Sequence, residues 1–140
     1  MEPFNIFTQY ISVAPSYAVI KKSGDVSGNI VGLAGQTLQI ECLAYGGYPI
    51  PSILWHLGEV QQPLEKAEQD TYKDPDTGEI ITRSTLDLEI QTEDNGKQLS
   101  CEVINEAQSL PLWVKAMLNI GCKSQLNGIV RLTEMTVKTV

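Results

Sequence analysis

The sequence lacks any run of about 18 consecutive apolar residues, the minimum for a helix that spans a bilayer, and it lacks a cluster of lysine and arginine. Its 140 residues carry 10 Lys and Arg against 17 Asp and Glu, a net charge of −7. Nucleic acid and anionic lipid surfaces attract proteins of the opposite sign. We therefore expect neither nucleic acid as a partner nor direct insertion of this chain into a membrane.

Histidine is also scarce, since His56 is the single one in the chain. Metal sites need several clustered ligands, and nucleophilic or general-base catalysis needs a partner that orients the reacting group. His56 has no such grouping, and we interpret it as a surface residue. Asp74, Asp76 and Glu79 only faintly resemble a calcium loop, because an EF-hand requires more oxygen ligands at fixed spacing; we prefer a turn. The sequence thus predicts a protein that is not an enzyme, with no catalytic residue, metal site or cofactor.

Signals for export and glycosylation are missing as well. A signal peptide has a basic region followed by an apolar stretch, but the start of this sequence instead contains Glu2, Asn5 and Gln9. We expect the export signal and any membrane anchor to lie outside this fragment. No Asn is followed at the second position by Ser or Thr, so N-linked glycans are not expected to shield either face of the domain.

What is present is a series of short alternating segments that predicts an all-β fold. The 11 Gly and 7 Pro are spread between short apolar runs, which is typical of many turns. Leu38, Ile40 and Cys42 alternate with Gln39 and Glu41, as the period of two in a half-buried strand requires. Similar alternation occurs in residues 53–57, 84–90, 99–103 and 112–120.

The length of the chain favours one domain, because domains usually have about 100 to 150 residues. We expect a lead-in over residues 1–14, the domain over 15–120, and a tail of uncertain structure over 121–140. Residues 61–82 are polar and include Asp74-Pro75-Asp76-Thr77-Gly78, a strong turn signal. We interpret this segment as the variable flank of the domain.

Two cysteines and a tryptophan fall at inward positions of the predicted strands, in the order Cys42, Trp55, Cys101. This order resembles the framework of an immunoglobulin β-sandwich, in which the tryptophan packs on a disulfide between the two sheets. The resemblance implies a Cys42–Cys101 disulfide, worth about 4 kcal/mol in the chain-entropy model for a loop of this length. The alternative is a reduced, buried pair, as in intracellular relatives of the fold; a secreted context favours the disulfide.

The neighbouring residues extend this resemblance. Residues 35–42 (GQTLQIEC) and 44–55 (AYGGYPIPSILW) look like the B and C strands of C2-type immunoglobulin domains in nephrin, Kin-of-Irre and nectin-like adhesion proteins, and residues 94–105 (DNGKQLSCEVIN) are similar to their F strand. The likeness covers about residues 16–120. One position departs from the pattern: Leu99 stands where many such domains have a tyrosine whose hydroxyl ties down the preceding corner. That hydrogen bond is therefore expected to be absent or replaced.

The resemblance implies an extracellular module of a cell-surface adhesion or recognition protein that binds another protein, homophilically or heterophilically, without catalysis. The same scaffold serves unrelated functions, so two alternatives stay open. One is a secreted or surface immune-recognition domain, such as an antibody-like domain or a decoy receptor. The other is an intracellular structural domain of the muscle type.

The outer face of one predicted sheet indicates where a partner could bind. Alternation places Leu54, His56, Ile104, Trp113 and Met117 on the outer face of the sheet formed by the C, F and G strands, and exposed apolar patches often mark interfaces. The alternative is that residues 61–82 or the tail cover this patch.

The third cysteine, Cys122, has no partner in the framework described above. An odd cysteine in a secreted chain indicates an intermolecular bridge or a free thiol. We therefore consider a covalent homodimer as one interpretation of Cys122. An artefact of a truncated tail is the other.

Overall fold

The computed structural model describes residues 11–60 and 62–122, which form a β-sandwich of two sheets. The strands are β1 (Tyr17–Lys22), β2 (Asp25–Val26), β3 (Asn29–Leu33), β4 (Thr37–Tyr45), β5 (Ser52–Leu57), β6 (Ala67–Lys73), β7 (Ile80–Glu89), β8 (Gln98–Ile104) and β9 (Leu112–Gly121). A single turn of 3-10 helix, Thr92–Asp94, lies between β7 and β8. Within these ranges no helix is both long and apolar enough to cross a bilayer. Residues 1–10 of the predicted lead-in (1–14) and residues 123–140 of the predicted tail (121–140) lie outside the described residues.

One sheet has five strands in the order β2-β1-β4-β7-β6, and the other has four in the order β3-β9-β8-β5. All neighbouring strands are antiparallel except β3 and β9, which run parallel. The B, C, F and G strands of the sequence comparison are β4, β5, β8 and β9. The prediction of an all-β, immunoglobulin-like sandwich with an inter-sheet disulfide is confirmed.

The alternating segments pack as predicted, with one face of each strand in the core. On β4, Ile40 and Cys42 are fully buried while Gln39 is exposed, and on β7 Leu86 is buried while Asp87 is exposed. Period-two alternation produces this result wherever one face of a strand meets the opposite sheet and the other meets water. The core therefore lies between the two sheets.

The polar segment 61–82 contains a strand that alternation does not reveal. The strand β6 is the edge of the five-stranded sheet and pairs with β7 from Ala67 to Lys73, and all of its residues after Ala67 are exposed. The predicted turn follows it: the backbone N–H of Gly78 donates to the carbonyl of Asp74 at 2.8 Å, and that of Asp76 to Asp74 Oδ1 at 2.9 Å. Residue 61 lies outside the described residues.

The corner before β8 is held without a tyrosine. Leu99 is fully buried in the core, and the polar contacts come from the preceding residues. Asp94 Oδ2 accepts from the backbone N–H of Gln91 at 2.9 Å, and Asn95 Oδ1 accepts from the backbone N–H of Ile120 at 2.8 Å. Asp94 thus holds the corner in place of a tyrosine hydroxyl, and Asn95 joins the turn to β9.

Candidate protein-binding site

Two adjacent links join the sheets beneath the candidate site. The disulfide connects Cys42 on β4 with Cys101 on β8, with Cα atoms 6.5 Å apart. Trp55 on β5 is fully buried, and its indole Nε1 donates to Ser84 Oγ on β7 at 2.8 Å. Because Trp55 pairs with Cys101 in one sheet and Ser84 pairs with Cys42 in the other, the covalent and hydrogen-bonded links lie side by side. These two links hold the sheets together directly beneath their outer faces.

The outer face of the four-stranded sheet carries the residues predicted as an interface. Leu54 on β5, Glu102 on β8 and Trp113 on β9 lie next to one another across three strands. Leu54 is 39% exposed and Trp113 is 45% exposed. The row thus presents two large apolar side chains with a carboxylate between them.

His56 lies next to this row, and its side chain is more buried than that of a typical surface residue. Its Nε2 is 2.9 Å from Glu102 Oε1, and its ring centroid is 5.4 Å from that of Trp113 at an interplanar angle of 48°. Only 15% of the His56 side chain is exposed. Alternation assigned His56 to the correct face, but the contact with Glu102 depends on strand register, which alternation does not provide.

The five residues predicted as an interface share this face with polar side chains. Ile104 pairs with Ser52 at one end of the face, whereas Met117 pairs with Gln98 toward the other, and both Ile104 and Met117 are half-buried. Lys115 lies between Trp113 and Met117 on the outer side of β9. The five predicted residues share one face, but polar side chains separate them.

Most of the connection after β5 leads away from this face. Ala67–Lys73 form β6, in the opposite sheet. The backbone N–H of Leu64 donates to the carbonyl of Trp55 at 2.8 Å, and its side chain packs against the core. Of the residues proposed as a cover, 67–73 and 80–82 therefore lie in the opposite sheet and do not cover this face. The tail 121–140 was the other proposed cover, and its residues 123–140 lie outside the described residues.

A depression of about 530 Å³ opens beside Trp113. Val60, which is 63% exposed, contributes to its apolar lining, and Glu59 and Lys115 contribute charges of opposite sign. Sequence analysis did not select Glu59 or Val60, because both lie in the turn after β5, where alternation stops and cannot assign a face.

The loops at one end of the sandwich are tied together by a residue with no predicted role. The Asn105 side chain donates from Nδ2 to the carbonyls of Val13 at 2.8 Å and Pro49 at 2.9 Å. Its Oδ1 accepts from the backbone N–H of Ala107 at 3.1 Å. Asn105 thus fixes the loop after β8 against the loop before β5 and the N-terminal segment.

The remaining predicted residues lie away from this face. Cys122 follows β9 as an exposed free thiol, and its Sγ is 3.9 Å from Thr92 Oγ1. In the part of the chain that the structure describes, no group of three or more His, Cys, Asp or Glu side chains is arranged to hold a metal ion.

Known proteins share this architecture. Human nephrin is 31% identical over 103 residues, which cover 74% of this chain and 8% of nephrin. The crystal structure of Rst D1-D2 superposes with a TM-score of 0.64 at 24% identity, covering 78% of this chain and 50% of that chain. The mouse nectin-like molecule 4 ectodomain (Ig1-Ig3) gives a TM-score of 0.65 at 16% identity, covering 81% of this chain and 36% of that one. The chain spans about 8% of nephrin's length, and the two structures support the fold alone.

The family is defined by a separate match. Residues 24–111 match the model of the CD80-like C2-set immunoglobulin domain. This range includes β3 through β8 with the disulfide, Trp55 and Ser84. The resemblance to C2-type domains of nephrin and nectin-like proteins is therefore confirmed, and the chain belongs to the CD80-like C2-set immunoglobulin domains.

Proposed function

We propose that this chain is an extracellular protein-recognition domain of a cell-surface adhesion protein, that the domain spans residues 15–120, and that it binds through the outer face of its four-stranded sheet. The observation that carries the proposal is the exposure of Trp113 and Leu54 in one row of that face. Tryptophan is among the residues most enriched at binding hot spots. The disulfide supports the extracellular location, because such bonds persist in oxidising compartments.

The environment of Trp113 suits an anchor residue. Its ring packs near His56, which contacts Glu102, so neighbouring side chains already restrict the indole before a partner binds. A restricted anchor loses less conformational entropy on binding than a free one. The adjacent depression offers space for a side chain of the partner.

The charges around this depression favour a second copy of the chain as the partner. Glu59 and Lys115 both line it, and neither forms an ion pair among the described residues. In a two-fold arrangement a contact between two different residues occurs twice, once in each direction, so Lys115 of each molecule can face Glu59 of the other. Such pairing would offset the repulsion between two chains that each carry a net charge of −7.

Sedimentation velocity over a wide concentration range tests this proposal. Cys122→Ser serves as the background, so that only non-covalent association is measured. We expect reversible dimerisation that Trp113→Ala abolishes and that Tyr72→Ala, an exposed aromatic on the opposite sheet, leaves intact. A strict monomer at all concentrations would contradict homophilic binding and favour a heterophilic partner.

A charge exchange tests the pairing itself. Lys115→Glu and Glu59→Lys should each weaken the dimer, because each places like charges together across the two-fold axis. The double variant should recover most of the lost affinity, since it restores the pairing with the signs exchanged. Additive weakening in the double variant would contradict the proposed geometry.

A further inference from the structure

A second set of buried apolar residues lies outside the sandwich core. Leu43 on β4 and Ile81 on β7 are 2% and 4% exposed, although they point away from the opposite sheet, and neither belongs to the core cluster. The pairing register places Tyr17, Tyr45, Ile81 and Tyr72 side by side in one row across four strands. We call these four residues the aromatic row.

The aromatic row is ordered and accessible. The rings of Tyr17 and Tyr45 stack with centroids 4.4 Å apart. The guanidinium of Arg83 lies 4.9 Å from the centroid of Tyr72 and donates to both carboxylate oxygens of Asp70, at 3.0 and 2.6 Å. Tyr17 is 51% exposed and Tyr72 36% exposed, so both ends of the row can contact another protein.

The rest of this face carries more acidic than basic side chains. Beyond Arg83 and Asp70, the next row contains Glu41 and Glu68 together with Lys21, which pairs with Glu41 at the β1 end, and the following row contains Asp87. Among the described residues none of these three carboxylates forms an ion pair, and the only side-chain hydrogen bond to them is from Gln39 Nε2 to Asp87 Oδ1 at 3.5 Å.

Two depressions lie beside these carboxylates. Glu41 and Glu68 line one of about 360 Å³, and Glu68 and Asp87 line a neighbouring one of about 490 Å³, which also includes Lys66. The face therefore combines an aromatic end with an acidic end that has room for side chains of a partner.

We propose that the outer face of the five-stranded sheet docks a cationic segment of another protein, which places Arg or Lys side chains over Glu41, Glu68 and Asp87 and an apolar residue on the aromatic row. Charge complementarity selects this partner. A second copy of the chain would bring the same carboxylates together, and like charges in contact oppose association. This surface is separate from the proposed homophilic face, so either proposal can fail without the other.

The test uses a synthetic peptide in which arginine alternates with alanine and one terminal residue is tryptophan, with a glutamine-for-arginine peptide as its control. The full chain is titrated by calorimetry, and amide shifts are followed by NMR. We expect binding of the arginine peptide alone, with shifts concentrated in β4, β6 and β7. Shifts spread over other surfaces, or equal binding of the glutamine peptide, would overturn the proposal.

Matched triple variants separate the face from the net charge of the chain. Glu41→Gln, Glu68→Gln and Asp87→Asn together should weaken binding at least about 10-fold. Asp25→Asn, Asp76→Asn and Glu93→Gln remove the same charge from exposed sites elsewhere and should change affinity less than about 2-fold, a difference of roughly 0.4 kcal/mol. Equal losses in the two triples would overturn the proposal, as would a dimer that Tyr72→Ala abolishes, because a second copy would then occupy the face.

Discussion

Two buried hydroxyl groups on β7 should affect stability in opposite directions when each is removed. Ser84 is 1% exposed, and its Oγ accepts the indole N–H of Trp55 at 2.8 Å. Thr82 is fully buried, and its Oγ1 has no hydrogen-bond partner in the described part of the chain. Ser84→Ala leaves a buried N–H without an acceptor, which should destabilise the fold by about 1–3 kcal/mol. Thr82→Val removes a hydroxyl that is desolvated on folding without gaining a hydrogen bond, so it should stabilise the fold by about 1 kcal/mol.

Urea denaturation followed by far-ultraviolet circular dichroism measures both effects with the disulfide intact. The midpoint should fall for Ser84→Ala and rise for Thr82→Val, with the slope against urea unchanged, since neither substitution alters the surface exposed on unfolding. Thr85→Val, on the outer side of the same strand, is the control and should change the free energy of unfolding by less than about 0.5 kcal/mol.

The outcome that refutes this reasoning is specific. If Ser84→Ala and Thr82→Val shift the midpoint in the same direction by similar amounts, packing and not hydrogen bonding determines how much these side chains contribute to the free energy of unfolding. A retained downfield indole resonance of Trp55 in Ser84→Ala would likewise argue against loss of the acceptor. Either result would mean that the hydrogen bond between Trp55 and Ser84 does not help to join the sheets.

Three further predictions concern other parts of the fold. Replacing Cys42 and Cys101 together by alanine should lower the free energy of unfolding by about 4 kcal/mol for a loop of this length, measured by guanidinium denaturation; an unchanged midpoint would contradict it. The hydrogen bond from Arg83 lowers the pKa of Asp70 below its ordinary range, so Asp70 contributes stability that is present above its unfolded-state pKa and is lost as the pH falls through its lower folded-state pKa. Because this pair is exposed, the contribution is small, and the check is carboxyl NMR, in which Arg83→Gln should raise the pKa of Asp70. Asn105→Asp removes both donated hydrogen bonds of the side chain and should lower the melting temperature and accelerate amide exchange in the loop before β5; protection equal to that of the unsubstituted chain would contradict the role of Asn105.

The sequence allowed the strands to be predicted where burial is one-sided. Ile40, Cys42 and Leu86 alternate with polar residues because one side of each strand meets the opposite sheet. The strand β6 could not be found in this way, since all of its residues after Ala67 are exposed and no apolar period marks them.

Strand register explains why the candidate site was only partly predicted. Alternation assigned Leu54 and Trp113 to the correct face but not to the same row, which depends on how β5, β8 and β9 pair. The same missing information concealed Glu102, which lies between them. The aromatic row was missed for this reason too, because its members come from four strands that are distant in sequence.

The two outer faces of the sandwich differ in charge, and this difference bears on how the domain can associate. Beside Trp113, Glu59 and Lys115 balance each other, and His56 contacts Glu102. On the opposite sheet, Glu41, Glu68 and Asp87 have no ion-pair partner among the described residues. Contact through the balanced face keeps these carboxylates of two copies apart, and contact through the acidic face brings them together. Salt screens attraction and repulsion between exposed charges alike. In the dimer it would weaken both the Lys115–Glu59 attraction and the repulsion between two chains of net charge −7, so added salt should weaken the binding of a cationic segment to the opposite face more than it changes the dimer.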